Sequence, residues 1–135
     1  MHRRNFLSLS AGLTVFSLAS RAFGATPYTA GAAEAAMDAG RTVLLDFWAS
    51  WCSTCAAQER VLAALKAENP AYEQNIAFFI VDWDEHRNGA LSKALKIPRR
   101  STLVALKGRQ ELGRIVAGTS KADIKALLDK AMASA

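Results

Sequence analysis

Both cysteines of this 135-residue chain lie in one short stretch, VLLDFWASWCSTC at residues 43–55. An apolar, β-prone run ends there at Cys52-x-x-Cys55, and a helical pattern follows. A strand that passes into a helix at this point places the first sulfur at the helix N-terminus, where unpaired N–H groups and the helix dipole favour an anion. We therefore predict that Cys52 is the more acidic thiol and that Cys55, one turn later, closes a disulfide with it.

Outside this stretch, apolar residues recur with alternating strand and helix periodicity. We predict, in order, helix 29–39, strand 42–48, helix 53–68, strand 76–83, helix 90–96, strands 102–107 and 111–117, and a last helix after Ser120. A polar loop is expected at 84–89. The order α-β-α-β-α-β-β-α predicts an α/β domain whose sheet is covered by helices.

Asp46 is the one charged residue in the apolar strand 42–48. In a strand that is covered on both faces the charged carboxylate is disfavoured, so the pKa of Asp46 should be raised. Such a group could take the proton from Cys55, through a water, when that thiol becomes a nucleophile. The alternative is an aspartate exposed at the edge of the strand.

The run from Asp46 to Cys55, DFWASWCSTC, resembles the active-site segment of thioredoxins and their periplasmic relatives. An aspartate, two tryptophans and two cysteines fall at the family's spacing, and the resemblance covers nearly all of residues 28–132. It implies the thioredoxin fold, a central mixed sheet of about four strands flanked by helices. It also implies a thiol:disulfide oxidoreductase without a cofactor, in which Cys52 attacks, Cys55 resolves the mixed disulfide and Asp46 moves the proton.

The resemblance also implies a substrate-binding surface at Trp51, Arg100, Ser101, Thr102 and Gly118. Thioredoxins carry a cis-proline here, usually followed by threonine, and alignment on Thr102 puts Ser101 in its place. A cis bond before a residue other than proline costs about 2.5–4 kcal/mol, so the Arg100–Ser101 bond should be trans. Arg100 could favour acidic substrates or simply be solvated, and Gly118 could admit a partner backbone or only meet the needs of a turn.

Residues 1–24 have the composition of an export signal, with a basic start at Arg3-Arg4, an apolar stretch over 6–20 and small residues around position 24. We predict cleavage after residue 24, a mature domain over 25–135 and a periplasmic location. The arginine pair resembles a twin-arginine signal, with a Sec signal as the alternative. Stable membrane insertion is not expected, because 15 residues with four serines are short for a spanning helix.

The net charge of +5 does not point to a nucleic-acid partner. Of the 17 basic residues, Arg3, Arg4 and Arg21 lie in the export segment, which holds no acid, so 14 basic and 12 acidic residues remain. In an oxidising compartment, two cysteines indicate a working pair rather than a disulfide framework. We expect a monomer whose partners are protein thiols and disulfides and a separate redox partner.

Two other functions use the same thiols. The Cys52 and Cys55 thiolates could hold a metal or an iron–sulfur cluster if Ser101, without a proline ring, leaves space above Cys52, although a closed zinc site would need ligands from elsewhere. A redox-inactive binding module is the other alternative. For direction, the pair followed by Glu59 resembles the reducing domains of periplasmic electron-transfer proteins, which favours a reductase. Glu59 itself could be another acid on the active-site helix or simply be solvated, and we expect it to be solvated.

Overall fold

The structure is a computed structural model that describes residues 24–135. The predicted export segment, apart from Gly24, lies outside the described residues. The described elements are β1 (Thr26–Pro27), α1 (Ala32–Asp38), β2 (Thr42–Trp48), α2 (Ser53–Glu68), α3 (Ala71–Asn75), β3 (Ala77–Asp82), α4 (Trp83–His86), α5 (Ala90–Ala94), β4 (Thr102–Lys107), β5 (Gln110–Val116) and α6 (Lys121–Ser134). Within residues 24–135, no helix is both long enough and apolar enough to cross a membrane.

The strands form one mixed sheet in the order β1-β3-β2-β4-β5. β2 is central: it pairs in parallel with β3 and antiparallel with β4, while β4 and β5 form the predicted hairpin. The sheet has five strands rather than about four, because β1 adds two residues beside β3, with Thr26 opposite Phe79. Two residues are too few to give a periodic pattern, so this strand could not be read from the sequence.

Helices cover both faces of the sheet, which explains why β2 is apolar almost throughout. Successive side chains of a strand point to opposite faces. Leu45 packs with residues of α1 and α5 in one cluster, whereas Leu44 packs with residues of α2 and α6 in the other. Asp46 has the parity of Leu44 and therefore belongs to the α2 face.

The segment after β3 differs from the prediction. Trp83 begins helix α4 instead of ending the strand, because the Asp82 side chain caps that helix by accepting a hydrogen bond from the Asp84 N–H at 3.0 Å. His86 lies at the end of α4 rather than in a loop, and its ring packs edge-on against Tyr28 at 4.8 Å between centroids. Helix α4 has only four residues, which is too short to show a helical period in the sequence.

We expect Leu44→Ala and Leu45→Ala each to lower the free energy of unfolding by about 2–5 kcal/mol, because both side chains are almost fully buried, on opposite faces of β2. The measurement is urea unfolding of the oxidised protein. The matched control is Val116→Ala on the outer strand, where the exposed side chain should change the value by only about 0.5 kcal/mol. A near-neutral result for either leucine would mean that one face of β2 is open to solvent.

Candidate active site

Cys52 and Cys55 form a disulfide at the junction of β2 and α2, with their Cα atoms 5.3 Å apart. Cys52 is the N-cap residue of α2, and its Sγ accepts a hydrogen bond from the Cys55 N–H at 3.1 Å. The sulfur thus takes the place that a serine or aspartate oxygen usually fills at a helix start. Cys52 is 5% exposed and Cys55 is fully buried, so a partner can reach only the first sulfur.

Trp48 packs against this corner. It lies in a small cluster with Ala49 and the two cysteines, and Trp83 of α4 joins the cluster. Two indole rings therefore pack against the cluster that contains the disulfide.

Ser101 places its hydroxyl on the disulfide. The Oγ atom lies 3.0 Å from the Sγ of Cys52 and 3.0 Å from the Sγ of Cys55, and the residue is fully buried. Its backbone is in the left-handed region, with φ of 59°, and the Arg100–Ser101 bond is trans as expected. We expected a serine here to leave open space above Cys52, but its hydroxyl occupies the position against both sulfurs.

Gln58 is a site residue that the sequence analysis missed. It is fully buried on α2, and its Nε2 donates to the Ser101 carbonyl and to the Gly118 carbonyl, each at 2.9 Å. Gln58 thus joins α2 to the loop before β4 and to the loop after β5. The available signal was its position one turn after Cys55 on the buried stripe that continues to Leu62, where a polar side chain needs partners inside the protein.

Gly118 and Thr102 make contacts inside the domain close to Ser101. A Cβ at Gly118 would lie 2.7 Å from the Ile115 Cγ2, so internal packing already excludes a side chain there. Thr102 is fully buried, and its hydroxyl donates to the Arg99 carbonyl at 2.7 Å. Each therefore has a role inside the domain, next to the substrate contact that the resemblance implies.

Trp51 is the most exposed part of the site, at 59%. Its Nε1–H donates to Asp84 Oδ2 at 2.8 Å, and the guanidinium of Arg100 lies 4.4 Å from its ring centroid. A cation over an indole face is attracted by the ring quadrupole. The ring is thus held from two sides beside the cysteines, and Asp84, from the predicted polar loop, is a second residue that sequence reasoning missed.

Asp46 is 5% exposed on the central strand, so the alternative of an exposed aspartate at an edge is wrong. Burial, and after it the charge of Glu59, raise the pKa of Asp46 to about 7, while Lys66 acts in the opposite direction. Its Oδ1 has no hydrogen-bond partner among the described residues. Asp46 therefore titrates near neutral pH.

A cavity of about 620 Å³ lies beside Asp46, between α2 and β3. Glu59, Leu62, Lys66 and Phe78 contribute to its lining. Glu59 is half-buried and lines this cavity, so its carboxylate is partly solvated. Its position four residues after Cys55 carries it to the Asp46 side of the helix.

Metal binding gains little support from the surroundings of the sulfurs. Across residues 24–135, no three His, Cys, Asp or Glu side chains come together as a candidate cage. A cluster on Cys52 and Cys55 would need further ligands from another molecule.

Comparison with known proteins identifies the family to which the chain belongs. The family model "Thioredoxin" matches residues 29–130. A thioredoxin of Synechocystis is 32% identical over 110 residues, 78% of this chain and 96% of that protein, and an H-type thioredoxin of Fagopyrum esculentum is 34% identical over 83 residues, 62% of this chain and 66% of that protein. The crystal structure of Trxlp from Edwardsiella tarda is similar with a TM-score of 0.67 and 30% identity, over 78% of this chain and 98% of that one. With a match that spans most of the sequence and a dithiol pair at the end of the central strand, this chain belongs to the thioredoxin family.

Proposed function

We propose that this thiol:disulfide oxidoreductase works as an exported reductase of protein disulfides through Cys52 and Cys55. The observation that carries the proposal is the difference in exposure of the two sulfurs, since Cys52 reaches the surface at the helix N-cap whereas Cys55 is fully buried. A partner's sulfur can meet only Cys52, and only Cys55 can then displace it. That order of events defines a nucleophile and a resolving thiol.

The proposed reaction conserves atoms and electrons. The Cys52 thiolate attacks one sulfur of a protein disulfide, and the other substrate sulfur leaves as a thiolate that takes a proton from water. Cys55 then loses its proton and attacks the Cys52 sulfur, which closes the intramolecular disulfide and releases the second substrate sulfur. The substrate gains two electrons, the two cysteines lose two, and a separate dithiol donor must restore them.

In this scheme Asp46 accepts the proton of Cys55, directly or through a water. A general base works best with a pKa near the operating pH, and burial holds the pKa of Asp46 at about 7. The cavity lined by Asp46 and Glu59 also contains exposed residues such as Ala63, which offers a route for the proton to return to solvent. The substrate surface would be the exposed Trp51 with Arg100 stacked on it, and the exposed Val116, which lies opposite Thr102 in the hairpin of β4 and β5.

The proposal includes three finer assignments. Ser101 would occupy the position at which thioredoxins carry their cis-proline, which its contacts with both sulfurs support. Export would use residues 1–24, where three arginines and no acid accompany a serine-rich apolar stretch. The reductase direction is favoured by the resemblance of the Cys52–Cys55 pair followed by Glu59 to the reducing domains of periplasmic electron-transfer proteins, whereas the dipeptide Ser53-Thr54 does not by itself give the direction.

Substitution of the cysteines tests the assignment of roles. Cys52→Ser should abolish reduction of insulin disulfides in the presence of dithiothreitol. Cys55→Ser should retain the first attack and accumulate a mixed disulfide with insulin, visible on a non-reducing gel, because resolution is lost. Full activity in Cys52→Ser would remove the assigned role of Cys52. Trapping of insulin by Cys52→Ser instead of Cys55→Ser would reverse the two roles.

A glutathione titration gives the direction: a potential near the lower end of the range of about −270 to −120 mV supports a reductase, and one near the upper end contradicts it.

Asp46→Asn tests the proton transfer. In the wild type, the rate at which Cys55 resolves a preformed mixed disulfide should rise as the pH passes through about 7, because the carboxylate is the base. The variant should lose that step in the pH profile and resolve about 10²-fold or more slowly at pH 8, while the attack by Cys52 changes little. Stopped-flow measurement of both steps checks this, and equal slowing of the two steps would contradict the role.

The control for that profile is unfolding of the oxidised protein, in which neither cysteine titrates. Unfolded Asp46 ionises near 3.8, whereas the folded group ionises near 7, so over this window the unfolded chain has lost a proton that the folded protein keeps. Ionisation therefore favours the unfolded chain: the stability of the wild type should fall as the pH rises from about 4 to about 7 and then level off. Relative to Asp46→Asn the total loss should approach about 4 kcal/mol.

Export is tested in a bacterial host by sequencing the mature N-terminus and by an Arg3→Lys/Arg4→Lys variant. We expect the wild-type protein in the periplasm with Ala25 as its first residue, and the variant retained in the cytoplasm, because the twin-arginine route requires the arginine pair. Equal export of both forms would assign the Sec route instead. A wild-type protein that begins at Met1 in the cytosolic fraction would refute export.

A further inference from the structure

We propose that the Ser101 hydroxyl donates a hydrogen bond to the Cys52 thiolate of the reduced protein and thereby shifts the dithiol/disulfide equilibrium towards the dithiol. Gln58 acts as the positioning residue that holds Ser101 in place. The inference rests on the proposed redox function and adds to it a residue that sets the potential of the couple.

The first argument is the number of hydrogens available around the two sulfurs. A serine hydroxyl has one hydrogen to donate and two lone pairs to accept with. Its oxygen lies 3.0 Å from each sulfur, but neither sulfur of a disulfide carries a hydrogen and both are weak acceptors. After reduction, the hydroxyl can donate to the Cys52 thiolate and accept from the Cys55 S–H, so every donor and acceptor finds a partner.

The gain is therefore larger in the reduced state than in the oxidised state. A hydrogen bond to an ionised acceptor is about twice as strong as one between neutral groups. Ser101 is fully buried, so water does not compete for its hydrogen, and a preorganised donor needs no rearrangement when charge appears on the Cys52 sulfur. The Cys55 N–H at 3.1 Å is a second donor to the same sulfur.

The second argument is how firmly the backbone of Ser101 is held. A φ of 59° is sparsely populated by residues other than glycine and persists only where the surroundings determine it. The Ser101 N–H donates to the Phe47 carbonyl at 2.7 Å, and its carbonyl accepts from the Ala117 N–H at 2.8 Å and from Gln58 Nε2 at 2.9 Å. These three bonds tie it to the central strand, to the end of β5 and to α2.

Of these three hydrogen bonds, the one from Gln58 is the most relevant to the chemistry, because Gln58 lies on the same helix as Cys55. The helix that carries the sulfurs thus also holds the residue whose hydroxyl faces them. A buried amide whose Nε2 is fully used on two carbonyls has no free donor of its own for the sulfurs. Its donors therefore act on the redox couple through the two loops that they hold.

The test is the equilibrium in which the protein disulfide and two glutathione thiols give the protein dithiol and one glutathione disulfide. Ser101→Ala should lower this equilibrium constant about tenfold, a potential about 30 mV more negative. The thiolate of Cys52, followed by its ultraviolet absorbance, should titrate about one pH unit higher. Ser101→Gly should give the same shifts, and since glycine adopts positive φ without strain, it keeps the test valid if the alanine variant folds poorly.

The matched control is Ser92→Ala, which removes another buried serine hydroxyl, one that donates to the His86 carbonyl at 2.8 Å and not to a sulfur. It should leave both quantities within about twofold of the wild type. Gln58→Met should shift them in the direction of Ser101→Ala, and should add nothing in the Ser101→Ala background, because both changes act on one hydrogen bond.

Three results would overturn the inference. One is Ser101→Ala and Ser101→Gly behaving like Ser92→Ala, another is a shift towards the dithiol, and the third is full additivity of Gln58→Met with Ser101→Ala. Failure of the proposed function is a different result, in which the wild-type pair does not exchange with glutathione at all.

Discussion

The capping of α2 by the Cys52 sulfur is the interaction on which the rest of the site depends. The atom that starts the helix is also the atom that reacts, since Cys52 Sγ accepts the Cys55 N–H at 3.1 Å. This arrangement requires β2 to end at a fixed distance from the helix, and burial of β2 on both faces fixes that strand. Because cap and nucleophile are one atom, a displacement of the strand would disturb the helix start and the chemistry together.

Much of the fold and part of the site could be predicted because the relevant segments are long and periodic. The bounds of β2 and α2 agree with the prediction, and so do the hairpin and the Cys52–Cys55 pairing. The burial of Asp46 also followed from its place in an apolar strand. What the sequence did not reveal was short or non-local: a two-residue strand, helices of one turn, and hydrogen bonds between residues distant in the chain.

Gln58 and Ser101 illustrate the limit. Forty-three positions separate them, and Gln58 is 60 positions from Gly118, so no local pattern links these residues. The left-handed backbone of Ser101 is equally hidden, because its three backbone hydrogen bonds all come from elsewhere in the fold. A missing proline in the sequence suggested open space, but only the tertiary structure could show that the serine hydroxyl turns towards the sulfurs.

Neutral and charged groups have different roles in the site. A charged group at the fully buried position of Ser101 would lose its hydration without a partner in the disulfide state, whereas a hydroxyl there remains neutral throughout the cycle. Arg100, the residue before Ser101, places its cation over the ring of Trp51 instead. The titrating acid, Asp46, lies on the cavity side of the sheet, where Glu59 and Lys66 accompany it. On the scheme proposed above, the two thiols therefore have separate helpers: a neutral donor stabilises the attacking sulfur, and an acid that ionises near neutral pH removes the proton from the resolving one.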